Sequence, residues 1–176
     1  FSVFGMKRIL GSVDTGTAGA MSIVGDRAYV ATDDWGLLLL DISDPANPIL
    51  LGSYDTPETA TDVAVEGDHA FVADYDAGLL VVDVSDPTTP ILTGSIDTSG
   101  LAQDVAVTGN LAFVADGEAG LQVIDVSVPS SPALAGSYDT PSTALGVAVA
   151  GDVAHVADRG QGLQLIDVSD PTSPAL

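Results

Sequence analysis

The sequence predicts an all-β fold, a β-propeller of four four-stranded blades, and three observations support this prediction. Glycines recur at a fixed spacing of 42 residues, at Gly25, Gly67, Gly109 and Gly151. Each unit holds four short runs rich in Val, Leu and Ile, and turn residues separate these runs. No segment has the 3.6-residue apolar period of a helix. Repeats of about 40–45 residues with four strands each are typical of propellers.

The second unit shows the predicted strands most completely. Strands A, B, C and D are expected at residues 62–65, 70–74, 79–84 and 91–97. A tight turn at Gly67 joins strands A and B, and a turn with two prolines, Pro87 and Pro90, joins strands C and D. Strands B and C are almost continuously apolar. We therefore expect both of their faces to be buried, as in a sheet that lies between two other sheets.

The repeat gives the predicted domain boundaries. The chain is one repeat domain of residues 1–176. It divides into an extension at 1–8, a D and an A strand within 9–24, complete units at 25–66, 67–108 and 109–150, and a partial last unit at 151–176. The last unit lacks strand D, and residues 9–15 match that missing strand. The N-terminal strand is therefore expected to complete the last blade.

This strand completion can occur in two ways. Residues 9–15 are expected to pair antiparallel with residues 163–168, either in the same chain or in the next one. Pairing with the next chain is strand addition, a head-to-tail contact that generates rings or filaments. The candidate assembly residues are Ile9, Leu10, Val13, Leu163 and Leu165.

Charge narrows the classes of partner. The chain has 25 acidic and 4 basic residues, a net charge of −21, and no cysteine. Nucleic acid is disfavoured as a partner, because phosphate binding needs basic patches. Anionic membrane surfaces are disfavoured for the same reason. No apolar run approaches the ~20 residues that span a bilayer. A surface so poor in Lys and Arg favours an extracellular or cell-surface location.

The motif that repeats at strand C has a family resemblance. The chain carries Leu-Gln-Val-Ile-Asp-Val-Ser from Leu121 and Leu-Gln-Leu-Ile-Asp-Val-Ser-Asp-Pro from Leu163, and Gly-Ser-x-Asp-Thr recurs at Gly11, Gly52, Gly94 and Gly136. This pattern resembles the LVIVD repeat family across about residues 9–176. The resemblance implies a propeller in a surface or secreted protein of bacteria or archaea. It implies no catalytic residues.

The loops between strands B and C differ from unit to unit although the frame repeats. In a propeller these loops lie on the same face as the D–A loops, and loops often carry function. This loop face is the candidate binding surface, with Trp35 and Tyr75 as possible anchors for a partner. The candidate residues are Asp34, Trp35, Tyr75, Asp76, Glu118 and Arg159. The alternative is that these loops vary because nothing constrains them.

Metal and catalytic sites have weaker support. Calcium is the one candidate cofactor, with Asp33, Asp74 and Asp76 as weak candidate ligands. Paired Asp residues supply too few of the six to eight oxygens that calcium needs. His69 and His155 occupy strand positions that hold other residue types in the other units, so a structural role is expected. Asp41, Asp83, Asp125 and Asp167 recur in every unit and are expected to accept bonds from turn N–H groups.

Three functions are consistent with this sequence. The first is a non-enzymatic extracellular structural or assembly propeller that associates with itself or with another surface protein. The second is a binding module that takes a glycan, a peptide or a protein on its loop face. The third is a hydrolase that uses Asp carboxylates at the central channel, for which a pair about 5–10 Å apart would be evidence.

Overall fold

The computed structural model describes residues 10–176, which form fifteen β-strands in four antiparallel sheets. Blade 1 contains β1 (Ala18–Val24), β2 (Arg27–Thr32), β3 (Gly36–Asp41) and β4 (Ile49–Tyr54). Blade 2 contains β5 (Asp62–Glu66), β6 (His69–Ala73), β7 (Leu79–Asp83) and β8 (Ile91–Ile96). Blade 3 contains β9 (Asp104–Thr108), β10 (Leu111–Ala115), β11 (Leu121–Asp125) and β12 (Ala133–Tyr138). Blade 4 contains β13 (Ala144–Ala150), β14 (Val153–Asp158) and β15 (Gly162–Asp167).

The all-β prediction is confirmed, and the predicted strands of the second unit agree with β5–β8 to within one residue. The blades start earlier than the sequence units, because each blade runs from strand A to strand D. In the pairing of strands C and D, the register shifts at the same place in blades 1, 2 and 3, as between Val81 and Val82 in blade 2. Such a bulge bends and twists the outer strand.

Three apolar layers hold the blades together, and each layer uses the same repeat positions. Between blades 1 and 2 it includes Tyr29, Leu37 and Leu39 on one side and Val63 and Val72 on the other. The layers between blades 2 and 3 and between blades 3 and 4 use residues 42 and 84 positions later. Strands B and C are buried on both faces in blades 2 and 3, as their apolar runs predict.

The four blades form an open arc within this chain. Strand A of each blade packs beside strand A of the next, in the order β1, β5, β9, β13. Strands β1 and β13 do not pack against each other in this way. The outer faces of blades 1 and 4 are therefore exposed, and each carries apolar side chains such as Met21 and Leu163.

The fourth sheet has three strands in the described part of the chain. Residues 10–17 contain no strand, and Ile9 lies outside the described residues. A single bridge between Asp167 and Ala175 stands where the other blades begin their C–D pairing. The predicted pairing of the N-terminal strand with residues 163–168 is thus not formed by residues 10–15 of the same chain. It stays a prediction for a neighbouring chain.

Residues 10–15 nevertheless occupy the position of a D strand, beside blade 1. A Cβ on Gly11 would lie 2.6 Å from the carbonyl oxygen of Pro45, much as a Cβ on Gly52 would lie 2.5 Å from that of Pro87. Val13 packs against the apolar outer face of blade 1. The equivalent side chains Tyr54, Ile96 and Tyr138 pack against the three layers between blades.

Gly162 marks the empty place beside blade 4. A Cβ on the equivalent Gly78 would lie 2.5 Å from the backbone of strand D, at Ile96 and Thr98. A Cβ on Gly162, which has the same positive φ, would meet nothing within 4 Å. Within residues 10–176, nothing fills the space that a D strand occupies in the other three blades.

Candidate functional site

A groove on the loop face brings together four of the six residues predicted to bind. It has a volume of about 740 Å³ and lies where the B–C and D–A loops of blades 2, 3 and 4 meet. Tyr75, Asp76, Glu118 and Arg159 line it, one to two from each blade. Leu101, Ala119 and Leu145 add apolar surface to the wall.

Backbone hydrogen bonds between neighbouring blades hold these loops in place. Tyr75 has a φ of 44° and Gly117 a φ of 59°, a left-handed conformation that turns each B–C loop toward the next blade. There the carbonyl of Tyr75 accepts a hydrogen bond from the N–H of Ala102 at 3.0 Å. Gly117 and Ala144 exchange two such bonds, at 3.2 and 2.8 Å. The groove walls are thus held by main-chain bonds between blades.

Asp34 and Trp35 do not join this groove. Both lie in the B–C loop of blade 1, and Trp35 is 44% exposed. The indole ring of Trp35 lies near Gly16. The backbone N–H of Trp35 donates a hydrogen bond to the hydroxyl of Thr32. The structure therefore separates Trp35 from Tyr75, which the sequence had offered as a pair of anchors.

In blades 2, 3 and 4, a buried Asp at the end of strand B links two loops of the same blade through hydrogen bonds. The Oδ2 atom of Asp74 accepts the N–H of Glu58 at 3.0 Å, and Asp116 and Asp158 accept those of Gly100 and Ser142, both at 2.8 Å. Thr98 also donates its hydroxyl to Asp116. Burial raises the pKa of Asp74 and of Asp116, against the lowering effect of these hydrogen bonds. Asp74, Asp116 and Asp158 recur at a spacing of 42 residues. This pattern could have predicted their shared role, but the sequence analysis did not use it.

The structure does not bring the weak candidate metal ligands Asp33, Asp74 and Asp76 together into one site. Asp74 is completely buried; its Oδ2 atom accepts the N–H of Glu58, and its Oδ1 atom has no hydrogen-bond partner among residues 10–176. Asp33 belongs to a different blade from Asp74 and Asp76. Among residues 10–176, no group of three or more His, Asp or Glu side chains is placed to hold a metal ion.

The Asp residues that end strand C have the turn role that the sequence predicts. Asp41, Asp83, Asp125 and Asp167 each accept the backbone N–H of the Ser two residues later, at 2.8–2.9 Å. Hydrogen bonds from that Ser lower the pKa of each of these carboxyl groups. This part of the acidic charge is therefore turn chemistry.

Asp62 and Asp104 form a second acidic feature, partly buried on the inner strands. The Oδ2 atom of Asp62 accepts the N–H of Val105 at 3.0 Å, and that of Asp104 accepts the N–H of Val147 at 2.6 Å. Each carboxylate thus bonds the inner strand of the next blade. Burial and the neighbouring Asp62 raise the pKa of Asp104 to about 7. Blades 1 and 4 carry Ala20 and Gly146 at this position.

The outer faces of blades 1 and 4 are the third feature. We define the blade 1 end face as Ala18, Met21, Ala28, Val30, Leu40 and Ile42, and the blade 4 end face as His155, Ala157, Leu163 and Leu165. In the blade 1 end face, Ala28, Val30 and Leu40 are buried in a cluster against which Val13 packs, so this face is exposed chiefly at Met21. Each set stands at the repeat positions that form one side of the buried layers. Met21 is 60% exposed, whereas the equivalent Val63 and Val105 are 3% and 5% exposed.

The blade 4 end face differs from its equivalents in the same way. Leu163 and Leu165 are 63% and 52% exposed. Leu79 and Val81, at these positions in blade 2, are completely buried. The two end faces therefore carry the repeat positions that form the two sides of each buried layer between blades.

The fold resembles several solved structures at low sequence identity. The computationally designed Ika4 protein has a TM-score of 0.75 and 13% identity, over 93% of this chain and all of that one. The β-propeller domain of Cps50 (Swd1) from Myceliophteria thermophila has a TM-score of 0.71 and 14% identity, over 90% of this chain and 56% of that one. A functionally unknown protein from Desulfotomaculum acetoxidans has a TM-score of 0.77 and 13% identity, over 94% of this chain and 56% of that one.

These similarities show the propeller fold, and the chain spans little more than half the length of the last two proteins. No curated protein is similar enough to count as a match. In residues 10–176 no helix has the length and apolar character to cross a membrane. The model of the LVIVD repeat matches the chain four times, at residues 15–56, 58–98, 99–140 and 142–176. These four matches follow the blades from strand A onward, and the chain belongs to the LVIVD repeat family.

Proposed function

We propose that this protein is a non-enzymatic structural propeller that works outside the cell or at its surface and associates end to end. The observation that carries the proposal is the pair of end faces, which are exposed at Met21 on blade 1 and at Leu163 and Leu165 on blade 4. They present apolar side chains at the repeat positions that are buried between blades 1 and 2, 2 and 3, and 3 and 4. The blade 4 end face of one chain therefore fits the blade 1 end face of another.

The N-terminal segment supports the same contact. Residues 10–15 lie beside blade 1 in the position of a D strand whose C strand is missing. In a second chain, β15 has no D strand beside Gly162 within the described residues. From the register of β7 with β8, Val13 would pair with Leu163 and Ser12 with Gln164. Such pairing covers an exposed strand edge, which otherwise recruits other chains.

Charge and the inner carboxylates support the remaining parts of the proposal. A net charge of −21 favours a soluble surface in a medium rich in cations. The carboxylates of Asp62 and Asp104 accept backbone N–H bonds from neighbouring blades, so a structural role accounts for them without catalysis. We therefore favour assembly over hydrolysis.

Sedimentation velocity tests the proposal with single charged substitutions on each end face. Leu165→Asp and Met21→Asp place a charge at positions that are exposed in one chain and buried at the contact, so each variant should fold and sediment as a monomer. Ile91→Asp is the matched control, because Ile91 is 64% exposed and lies outside both end faces. It should associate as the unaltered chain does. Equal sedimentation of all four proteins would contradict the proposal.

A second function has an observation of its own, the groove on the loop face. An aromatic ring, two carboxylates and one guanidinium at Tyr75, Asp76, Glu118 and Arg159 suit a ligand with hydroxyl or ammonium groups, such as a glycan or a basic peptide. An oligosaccharide array and a library of basic peptides would test it. Glu118→Gln should weaken any binding found, and Asp26→Asn, an equal loss of charge on a distant turn, should leave it unchanged.

A further inference from the structure

We infer that the joint between blades 1 and 2 is a hinge, at which blade 1 moves as a unit against a rigid body of blades 2, 3 and 4. A joint is here the contact between two neighbouring blades. The inference does not depend on the proposed end-to-end association. All three joints have an apolar layer at the same repeat positions. They differ in the hydrogen bonds that cross them.

Four hydrogen bonds cross the joint between blades 2 and 3 among residues 10–176. The groups in blade 2 are the hydroxyl of Thr61, the carboxylates of Asp62 and Glu66, and the carbonyl of Tyr75. Their partners in blade 3 are backbone groups of Ala102, Val105 and Gly109. The bonds lie both along the inner strand and at the loop face, so they fix the two blades at more than one point.

The joint between blades 3 and 4 keeps part of this pattern. Asp104, the equivalent of Asp62, accepts the N–H of Val147 at 2.6 Å. Gly117, the equivalent of Tyr75, exchanges two backbone hydrogen bonds with Ala144. Blades 2, 3 and 4 are therefore joined by polar contacts as well as by their apolar layers.

Blade 1 lacks the polar groups at the equivalent positions. Gly19, Ala20 and Val24 stand where blade 2 has Thr61, Asp62 and Glu66, and they have no polar side-chain atom. At the position of Tyr75, Asp33 donates its N–H to the carbonyl of Thr17, beside its own blade, at 3.0 Å. In residues 10–176 no backbone hydrogen bond joins blades 1 and 2. Their joint is held by its apolar layer.

One charge attraction reaches across this joint. Hydrogen bonds from Thr88 chiefly lower the pKa of Asp86 in blade 2, and the charge of Arg27 in blade 1 adds to this effect. Arg27 and Asp86 are both exposed. An attraction between exposed charges contributes little to stability and is screened by salt. It does not replace the missing hydrogen bonds.

The difference between the joints predicts where the propeller opens. Each hydrogen bond between blades adds to the free energy needed to separate them, so the joint without such bonds should open most often. Packed elements on either side of a hinge move as rigid bodies. The groove on the loop face lies within blades 2, 3 and 4 and should keep its shape. The blade 1 end face should change its orientation.

Cysteine labelling in the folded protein tests the hinge, because the chain has no cysteine of its own. Ala31, Ala73 and Ala115 occupy the same repeat position, are completely buried, and lie in the first, second and third apolar layers. Each is replaced by cysteine in a separate variant, and its rate of reaction with a maleimide is measured. Ala31→Cys should react at least about tenfold faster than the other two.

A second substitution tests whether the missing hydrogen bonds cause the opening. Ala20→Asn supplies a neutral acceptor at the position of Asp62, for the N–H of Val63, which is the equivalent of Val105. It should slow the labelling of Ala31→Cys at least about threefold and leave that of Ala73→Cys unchanged. If these variants do not fold, cysteines on the other side of the same three layers give the comparison, at Ala70, Ala112 and Ala154.

The outcomes separate this inference from the proposed function. Equal labelling rates at the three joints would overturn the hinge. A fast rate at Ala31→Cys that Ala20→Asn does not slow would also overturn it, because the missing hydrogen bonds would not be the cause. A protein that sediments as a monomer and labels fastest at Ala31→Cys would keep the hinge and overturn only the end-to-end association.

Discussion

Asp62 and Asp104 lie on neighbouring inner strands and share one donor, the backbone N–H of Val105. The Oδ2 atom of Asp62 is 3.0 Å from this nitrogen, and the Oδ1 atom of Asp104 is 3.1 Å from it. Two carboxylates so close together are not easily ionised at the same time. The shared N–H donor thus links blades 2 and 3 in addition to their apolar layer.

Stability should depend on pH through this pair. Burial and Asp62 raise the pKa of Asp104 from 3.8 to about 7, so between these values the folded chain binds a proton that the unfolded chain has released. The free energy of unfolding should therefore rise as the pH falls from 8 to 5. Asp104→Asn should raise the melting temperature at pH 8 and flatten this dependence, as measured by calorimetry.

The control for the pH effect is Asp26→Asn, which removes the same charge from an exposed turn. Its melting temperature should keep the pH dependence of the unaltered protein. Below about pH 4 the trend should reverse, because hydrogen bonds from Thr88 and Thr172 lower the pKa of Asp86 and Asp170. If Asp104→Asn and Asp26→Asn have the same profile, Asp104 is not the titrating group.

Removing the buried Asp that ties two loops should be costly. Asp116→Ala leaves the N–H of Gly100 and the hydroxyl of Thr98 without their acceptor. We expect a loss of about 2 kcal/mol in the free energy of unfolding, measured with urea. Asp76→Ala is the control, because Asp76 is exposed. It should change the free energy of unfolding by less than about 0.5 kcal/mol. Equal losses would show that the hydrogen bonds to Asp116 do not stabilise the fold.

Most of the fold was predictable from local patterns. The 42-residue spacing gave the number of blades, and the apolar runs of β6 and β7 predicted burial on both faces, because such features depend on neighbours along the chain. The Asp–Ser contacts at Asp41 and Asp83 were predictable for the same reason, since donor and acceptor are two residues apart.

The features that were missed depend on contacts between distant residues. Asp74 bonds Glu58 and Asp62 bonds Val105, which are 16 and 43 residues away. Strand pattern alone does not say which carboxylate faces which loop. The openness of the arc was also hidden, because repeat arithmetic counts blades without fixing the angle between them. Tyr75 and Arg159 meet in one groove only through that angle.

Trp35 offers a test of the loop that the groove leaves out. Because its side chain is 44% exposed, Trp35→Ala should lower the free energy of unfolding by less than about 1 kcal/mol. Urea unfolding followed by circular dichroism measures this change, since the fluorescence of the one tryptophan is lost in the variant. A larger loss would mean that the indole ring supports the contact of blade 1 with Gly16.

Cations should stabilise the protein through its charge. With a net charge of −21, self-repulsion in the folded chain weakens as salt is added, so the melting temperature should rise with ionic strength. Differential scanning fluorimetry in sodium, magnesium and calcium chloride at equal ionic strength separates screening from specific binding. An extra rise with calcium alone would indicate a calcium site, and equal rises would exclude one.

Deleting the N-terminal segment should have two separable effects. Val13 covers Val30 and Leu40 on the outer face of blade 1, so removing residues 1–15 should lower the melting temperature. The same deletion removes the strand proposed to complete the blade 4 sheet of a second chain, so association should also be lost. The control is deletion of residues 1–8, which keeps residues 9–15 and should preserve both properties. An added peptide of residues 1–15 should restore the melting temperature of the longer deletion, because it fills the vacated groove, and should cap the open β15 edge. A chain without residues 1–15 that melts and associates like the control would show that this segment does not act as a D strand.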